Sequence, residues 1–348
     1  MDIAVIAPPW LPVPAPAYGG TEAVLDDLTA GFAAAGHNVL LVAHPDSTCP
    51  VPRASVIPAA DTVPMGRASI ELEHAIGAYE LVRHADVVHD HTLAGPLHSI
   101  RYPHLPVITT HHGPFSRTMT ALLGASVPRV GLVAISRSQA ASTELPVDAV
   151  VHHGVHVSAF PFGTGSGGYV AVLARMAKDK GVHTAIDIAR AAGLRLLIAA
   201  KMQDPREIAY FEAEVEPRLG DDAVYLGELD AQAKRQFLAD AVALLNPIQW
   251  REPFGMGMLE SLACGTPVVG YDAGAAPEIV EHGRSGFLGQ TPDDLVAGLK
   301  AIATIDRAAC RERAATAFSV ERMVAGYVEV FKRRRSAGAT LTGIVAGS

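Results

Sequence analysis

Cysteine is scarce: Cys49, Cys264 and Cys310 are the only three in 348 residues, an odd number without metal-ligand spacing. That excludes a disulfide framework and a zinc ribbon, and a reducing compartment, the cytoplasm, is expected. No apolar run is long enough to cross a bilayer. The opening Met1-Asp2-Ile3-Ala4-Val5-Ile6-Ala7 runs into prolines without the basic start and extended apolar stretch of a secretion signal. Cations are outnumbered, 28 Lys and Arg against 36 Asp and Glu, so the electrostatic footprint of a nucleic-acid binder is missing.

What is present is apolar material, 49% of residues against 18% charged, enough for two cores in a chain of this length. Short apolar runs alternate with helical patterns in two series, the mark of parallel sheets covered by helices, so an α/β fold is expected. The first series starts at Asp2, passes through a helix at 21–36 and a strand at 38–43, and continues with strands near 86–89, 106–110, 131–135 and 149–152. The second starts at Tyr169 and repeats through strands at 194–200, 223–226, 241–245 and 267–271. Between them, 153–168 is rich in Gly, Pro and Ser and reads as a linker.

One stretch carries more chemistry than the rest. Trp250 to Gly270 reads W-R-E-P-F-G-M-G-M-L-E-S-L-A-C-G-T-P-V-V-G, with Glu252 in a loop and Glu260, eight positions on, inside the following helix. Pro253 and Gly255 break the preceding apolar run, and Gly265-Thr266-Pro267 stops the helix. In such a strand-loop-helix-strand unit the loop and helix start stand beyond the carboxyl end of the strand, where α/β proteins bind ligands. N–H groups around Phe254, Gly255, Met256 and Gly257 suit phosphate or sugar oxygens, and each carboxylate can accept from two neighbouring hydroxyls. The plainer reading makes Glu252 and Glu260 solvated surface charges.

E-P-F-G-x-x-x-x-E resembles the E-x7-E motif of the retaining GT-B glycosyltransferases of family 4. The likeness continues through Cys264 to Val269, Ala275-Ala276-Pro277-Glu278-Ile279-Val280 and Gly283 to Leu288. It implies a GT-B fold: two Rossmann-like parallel-sheet domains facing a cleft, with a C-terminal helix crossing back to the first. The expected boundaries are 1–155 for the acceptor-side domain, 156–318 for the nucleotide-sugar domain, 319–335 for the crossover helix and 336–348 for a disordered tail.

The resemblance also assigns roles. Arg175 and Lys180, after the strand at Tyr169, correspond to the family's paired diphosphate cations, with Lys178 a bystander. Fixed cations there stabilise the departing diphosphate, so no metal or other cofactor is expected, and the chain contains no Asp-x-Asp motif. Gly19 and Gly20, in Ala17-Tyr18-Gly19-Gly20-Thr21-Glu22, correspond to the family's donor-facing glycine loop, with Thr21 expected to cap a helix starting at Glu22. His112 of His111-His112-Gly113 is assigned beside the transferred sugar, with His111 as the alternative and a purely structural histidine as the plainer one. Asp90 and His91, at another strand end, and His111 are acceptor-side candidates. The clustered histidines at 89–91, 111–112 and 152–156 invite a metal reading, but neighbours on a strand point to opposite faces, and no metal site is expected.

Two departures from the family stand out. Lys201, in Ala200-Lys201-Met202-Gln203, replaces a glycine-rich turn and adds a phosphate or base contact. His153-Gly154-Val155-His156 stands where relatives have Asn-Gly-Val-Asp. The activity implied is transfer of a hexose from a nucleoside diphosphate sugar, UDP- or GDP-linked, to a hydroxyl with retention of configuration. A sugar-nucleotide 2-epimerase of the same fold and a non-catalytic nucleotide-sugar binding protein are the alternatives. Acidic residues on the segments 21–36 and 67–84 favour a soluble acceptor over a membrane one. The run Lys332-Arg333-Arg334-Arg335 argues mildly for peripheral membrane contact, against the reading that these cations finish a helix and complement its dipole.

Overall fold

The structure, a computed structural model, describes residues 1–16, 19–59 and 65–345, with side chains as far as 336. Ala17 and Tyr18 of the glycine loop, and the end of the expected tail at 346–348, lie outside the described residues. The chain divides into two compact units. One comprises Met1–Ala15, Gly19–Gly154 and the final helix, and the other Val155–Ser319.

The first unit holds β1 (Asp2–Ile6), β2 (Asn38–Val42), β3 (Arg53–Ala54), β4 (Val87–Asp90), β5 (Val107–Thr110), β6 (Gly131–Ala134) and β7 (Ala149–Val150). They form one parallel sheet in the order β3-β2-β1-β4-β5-β6-β7. The second unit holds β8 (Tyr169–Arg175), β9 (Arg195–Lys201), β10 (Ala223–Gly227), β11 (Ala243–Asn246), β12 (Val268–Tyr271) and β13 (Gly286–Gly289), ordered β10-β9-β8-β11-β12-β13 and again parallel. Both orders reverse direction beside their first strand, and at such a switch point the loops leaving adjacent strands part to leave a crevice. Two Rossmann-like α/β units are therefore present, as expected.

Runs such as Val170-Ala171-Val172 and Leu244-Leu245 are buried on both faces, which is why these strands read as continuous apolar stretches rather than alternations. Two short strands escaped the sequence reading. β3 is two residues behind Pro52, and β13 is a Gly-flanked tetrapeptide; both are too short for a periodic signal.

The last helix corrects two expectations. It spans Val320–Val345, so residues 336–345 are helical rather than a disordered tail. Once a helix is nucleated, adding residues such as Ala337, Ala339 and Leu341 costs little. The helix belongs to the first unit, where Tyr327 and Phe331 are wholly buried and Phe331 lies 5.4 Å from the Phe32 ring. The cationic run therefore sits mid-helix and does not finish it. Lys332 pairs with Glu329 at 2.8 Å, Arg335 with Asp86 at 2.8 Å, and Arg334 with Asp148 at 3.6 Å and with the carbonyls of Pro128 and Arg129. Two of these cations thus tie the helix to its own unit. Among the described residues no helix is long and apolar enough to cross a membrane.

Candidate functional site

In the second unit the carboxyl ends of β8 and β9 stand side by side. Arg175 and Lys201 are register partners on the two strands, so their side chains leave the sheet on one face. Five residues beyond Arg175, Lys180 reaches the loop that follows β11 and pairs with Glu252, Nζ to Oε2 at 2.6 Å. Its ammonium also lies 5.3 Å from the centre of the Trp250 ring. The loop around Glu252 is fixed by close backbone approach: Ala275 N–H donates to the Glu252 carbonyl at 3.0 Å. Gly274, with φ of +59°, stands where a Cβ would meet the Glu252 nitrogen at 2.5 Å. Only glycine fits there, for conformation and for space.

Gly255, at φ of +104°, turns the chain into the helix Met256–Ala263. Met258 N–H closes back onto the Gly255 carbonyl, while the N–H groups of Met256 and Gly257 find no acceptor among the described residues. These are the orphan donors of a helix start, and they can meet a phosphate or hydroxyl oxygen. The Phe254 side chain, by contrast, is buried 6.1 Å from the Phe318 ring, so this residue anchors the loop through its ring.

Glu260 is buried in the same helix, and its Oε1 receives the Lys234 ammonium at 2.6 Å. Lys234 was missed from sequence. It sits on the helix Ala231–Asp240, 26 residues away from Glu260, with no motif linking the two. Each glutamate of the pair is thus held by one lysine through one oxygen, which leaves the other oxygen to accept hydroxyls.

The Lys201 turn has its own scaffold. Asp204 and Glu207 form a capping box on the helix Pro205–Tyr210, and Glu207 Oε2 accepts the N–H groups of Gln203 at 2.8 Å and Asp204 at 3.1 Å. Its Oε1 lies 3.5 Å from Arg175 Nη1. A glycine-rich turn would present such N–H groups to a ligand. Here Glu207, which sequence reasoning also missed, consumes them and pairs with Arg175.

In the first unit, Gly19 is the N-cap of the helix Gly20–Ala34, so the expectation that Thr21 caps a helix starting at Glu22 is corrected. Thr21 lies one residue inside the helix, where a glycine start has displaced it. The Glu22 carboxylate folds back towards Gly19, 2.8 Å from where a Cβ would stand, so this helix start already has an anion beside it.

The candidates Asp90, His91, His111 and His112 separate clearly. Asp90, at the end of β4, is wholly buried and accepts from the Tyr79 hydroxyl, the Thr92 N–H and the Thr92 hydroxyl, each at 2.8 Å. Burial still raises its carboxyl to about 6. Its oxygens are occupied in fixing the 90–95 turn. His111 turns away to the carbonyl of Pro114 at 3.1 Å. His112 instead joins a chain of rings: His91 Nδ1 to His112 Nε2 at 2.8 Å, then His112 Nδ1 to His153 Nε2 at 3.3 Å. Burial pushes His112 down to about 3 and His91 and His153 well below the usual range, so all three are neutral at pH 7. The buried amide of Gln139 holds the loop, donating from Nε2 to the carbonyls of His111 at 2.8 Å and Gly113 at 2.7 Å. Gln139 carries no local sequence signal.

Among the described residues no group of His, Cys, Asp or Glu is arranged to hold a metal ion. A cleft lined by Asp272, His282, Phe287 and Asp294 takes in none of the candidate residues.

Comparison with known proteins was informative along both units. Residues 18–159 match the family model described as Glycosyltransferase Family 4, and residues 167–304 match the one described as Glycosyl transferases group 1. A curated relative, the N-acetyl-alpha-D-glucosaminyl L-malate synthase of Bacillus anthracis, is 36% identical over 73 residues, which is 21% of this chain and only 18% of that enzyme's length. Among solved structures, AviGT4, a glycosyltransferase involved in avilamycin A biosynthesis, is 25% identical with a TM-score of 0.73, covering 96% of this chain and 98% of that one. Anabaena Alr3699/HepE, solved with UDP and glucose, is 18% identical with a TM-score of 0.77 over 96% of this chain and all of its own.

Proposed function

The chain belongs to the GT-B glycosyltransferases of family 4 type, and from that membership we propose that it moves a sugar from a nucleoside diphosphate donor to an acceptor hydroxyl. The observation that carries this reading is the pair of lysine-held glutamates, Lys180 with Glu252 and Lys234 with Glu260, flanking the bare N–H groups of one helix start. In this reading Glu252 accepts from the transferred sugar and Glu260 from the ribose diol.

A nucleoside diphosphate leaves with growing negative charge. Lys180 has three N–H donors, of which Glu252 uses one, so the others are free to follow that charge onto phosphate oxygens. Arg175 and Lys201 supply further positive charge beside it, and the helix N–H groups complete the cradle. With this cation set no metal is assigned to the reaction. The two glutamates bind hydroxyls rather than form a covalent glycosyl intermediate, so retention is assigned to a same-face substitution in which the departing phosphate helps deprotonate the acceptor. His112 is assigned to the transferred sugar by resemblance. With its flanking carbonyls bonded to Gln139, its own carbonyl is the one left to accept a sugar hydroxyl. The donor is assigned as UDP- or GDP-linked and the acceptor as a soluble hydroxyl compound.

A thermal-shift screen of UDP, GDP, ADP and TDP with their common sugars, with and without EDTA, tests the reading. Selective stabilisation by one diphosphate that survives EDTA is expected. Stabilisation by none would sink it, loss of the effect with EDTA would overturn metal independence, and donor epimerisation without acceptor would make the protein an isomerase.

A further inference from the structure

The side-chain amide of Gln139 is fully engaged, and each partner belongs either to the turn that holds His112 or to the strand end beside it. Gln139 is buried on the short helix Arg137–Ala140, directly beyond β6. Its Oε1 accepts the Ile135 N–H at 2.8 Å, and Nε2 donates to the carbonyls of His111 at 2.8 Å and Gly113 at 2.7 Å. The partners allow only this orientation of the amide, since the two carbonyls can only accept and a peptide N–H can only donate. The amide therefore splices the ends of β5 and β6 beyond their last register pair, Thr110 with Val133.

The two carbonyls belong to the peptide planes on either side of the plane that carries the His112 carbonyl. A single NH2 group that holds both leaves the middle plane little room to rotate. Without it the turn would be loose, because Gly113 has backbone freedom that other residues lack. The His112 ring is held separately, Nε2 by His91 Nδ1 at 2.8 Å and Nδ1 by His153 Nε2 at 3.3 Å, whichever way the protons run. Among the described residues the His112 carbonyl receives no hydrogen bond, so it is the acceptor that this turn presents.

We infer that Gln139 is a positioning residue for the transferred sugar: its amide fixes the peptide planes around His112 and so aims the His112 carbonyl at a hydroxyl of that sugar. The role rests on the assignment of His112 to the transferred sugar; the clamp itself does not. Hydrogen bonds weaken steeply with misalignment, so loosening the turn costs the sugar contact and leaves nucleotide binding alone.

The test compares Gln139→Glu, which keeps an acceptor for Ile135 but sets a second oxygen against two carbonyls, with Gln139→Met, neutral and of similar length. Calorimetry of the full chain with UDP, GDP, UDP-glucose and GDP-mannose needs no acceptor. For the nucleotide that the wild type binds, affinity for the free diphosphate is expected to change by less than about twofold in both variants. Affinity for its sugar conjugate is expected to fall about tenfold, and slow donor hydrolysis to fall with it. Equal losses for diphosphate and conjugate would make Gln139 merely structural and overturn the role, as would conjugate binding at wild-type strength. Amide exchange reports the clamp: the Ile135 N–H is expected to exchange slowly in the wild type and to quicken in Gln139→Met. Rapid exchange at Ile135 in the wild type would overturn the clamp, and this measurement decides even if neither variant folds. A wild-type protein that binds none of these ligands would instead sink the functional reading.

Discussion

Lys234 Nζ meets Glu260 Oε1 at 2.6 Å, joining the helix Ala231–Asp240 to the helix Met256–Ala263 in the second unit. The pair mirrors Lys180 with Glu252, also at 2.6 Å, so each glutamate of the motif has a private cation. A buried carboxylate with one oxygen held is oriented, and the other oxygen is aimed. Lys234→Met keeps the length of the side chain and removes the charge. If Glu260 holds the ribose as proposed, donor KM is expected to rise about tenfold, ~1.4 kcal/mol, with kcat changed little, because such a contact is made alike in ground and transition states. A fall in kcat at constant KM would remove Lys234 from donor binding.

Lys180 and Glu260 should separate kinetically. In the proposed role Lys180 follows charge that grows only as the diphosphate leaves, so Lys180→Ala is expected to lower kcat by about a hundredfold, whereas Glu260→Ala is expected chiefly to weaken donor binding. Steady-state kinetics on variants with wild-type far-UV spectra check the split. Equal effects on kcat and KM in both would merge the two roles.

Gly274 carries a structural prediction. An alanine there would have to adopt φ of +59° and place its Cβ 2.5 Å from the Glu252 nitrogen and 2.6 Å from its oxygen. Backbone cannot yield as a side chain does. Gly274→Ala is expected to cost about 2 kcal/mol or more in urea unfolding, and to weaken donor binding by moving Glu252. Gly283, with open space around its Cβ and φ of +78°, is the control: Gly283→Ala bears only the conformational part.

Much of this was legible in the sequence where function is local. Glu252, Gly255 and Glu260 lie in one continuous segment whose breakers and apolar runs dictate strand, loop and helix, and Arg175 ends a strand that could hardly be anything else. Lys234 with Glu260, Gln139 with the His111 and Gly113 carbonyls, and Glu207 with Arg175 were not legible. Each joins separate elements, and nothing in linear spacing says which helix face meets which loop. The histidine clusters were visible, but strand alternation shows only that neighbours diverge. It does not show that His91, His112 and His153 converge from three different segments. The last helix ran past its expected end because small residues at 336–345 read as tail when judged by composition and as helix when an existing helix propagates into them.

The buried imidazoles make the first unit acid-sensitive. His74 is pushed down to about 4 and His89 and His112 to about 3 by burial, and burial also holds His91 and His153 well below the 6.5 of the unfolded chain. A group whose folded pKa is depressed in this way binds its proton in the unfolded chain first. Stability is therefore full above about 6.5 and falls as the pH drops from there towards 3. Asp90 works in the opposite sense: its carboxyl is raised by burial from 3.8 to about 6, so the folded unit gains stability as pH falls through that window. Burial also raises the Asp148 carboxyl, so two carboxyls oppose these five imidazoles, and the net direction is loss on acidification. Trp10 lies in the first unit and Trp250 in the second, and they are the only two tryptophans, so Trp250→Phe leaves a reporter for the first unit alone. Its urea midpoint is expected to fall steadily between pH 7 and pH 5. A midpoint that stays level would mean that these rings are protonated in the folded unit, and would remove the basis for a neutral His91–His112–His153 chain.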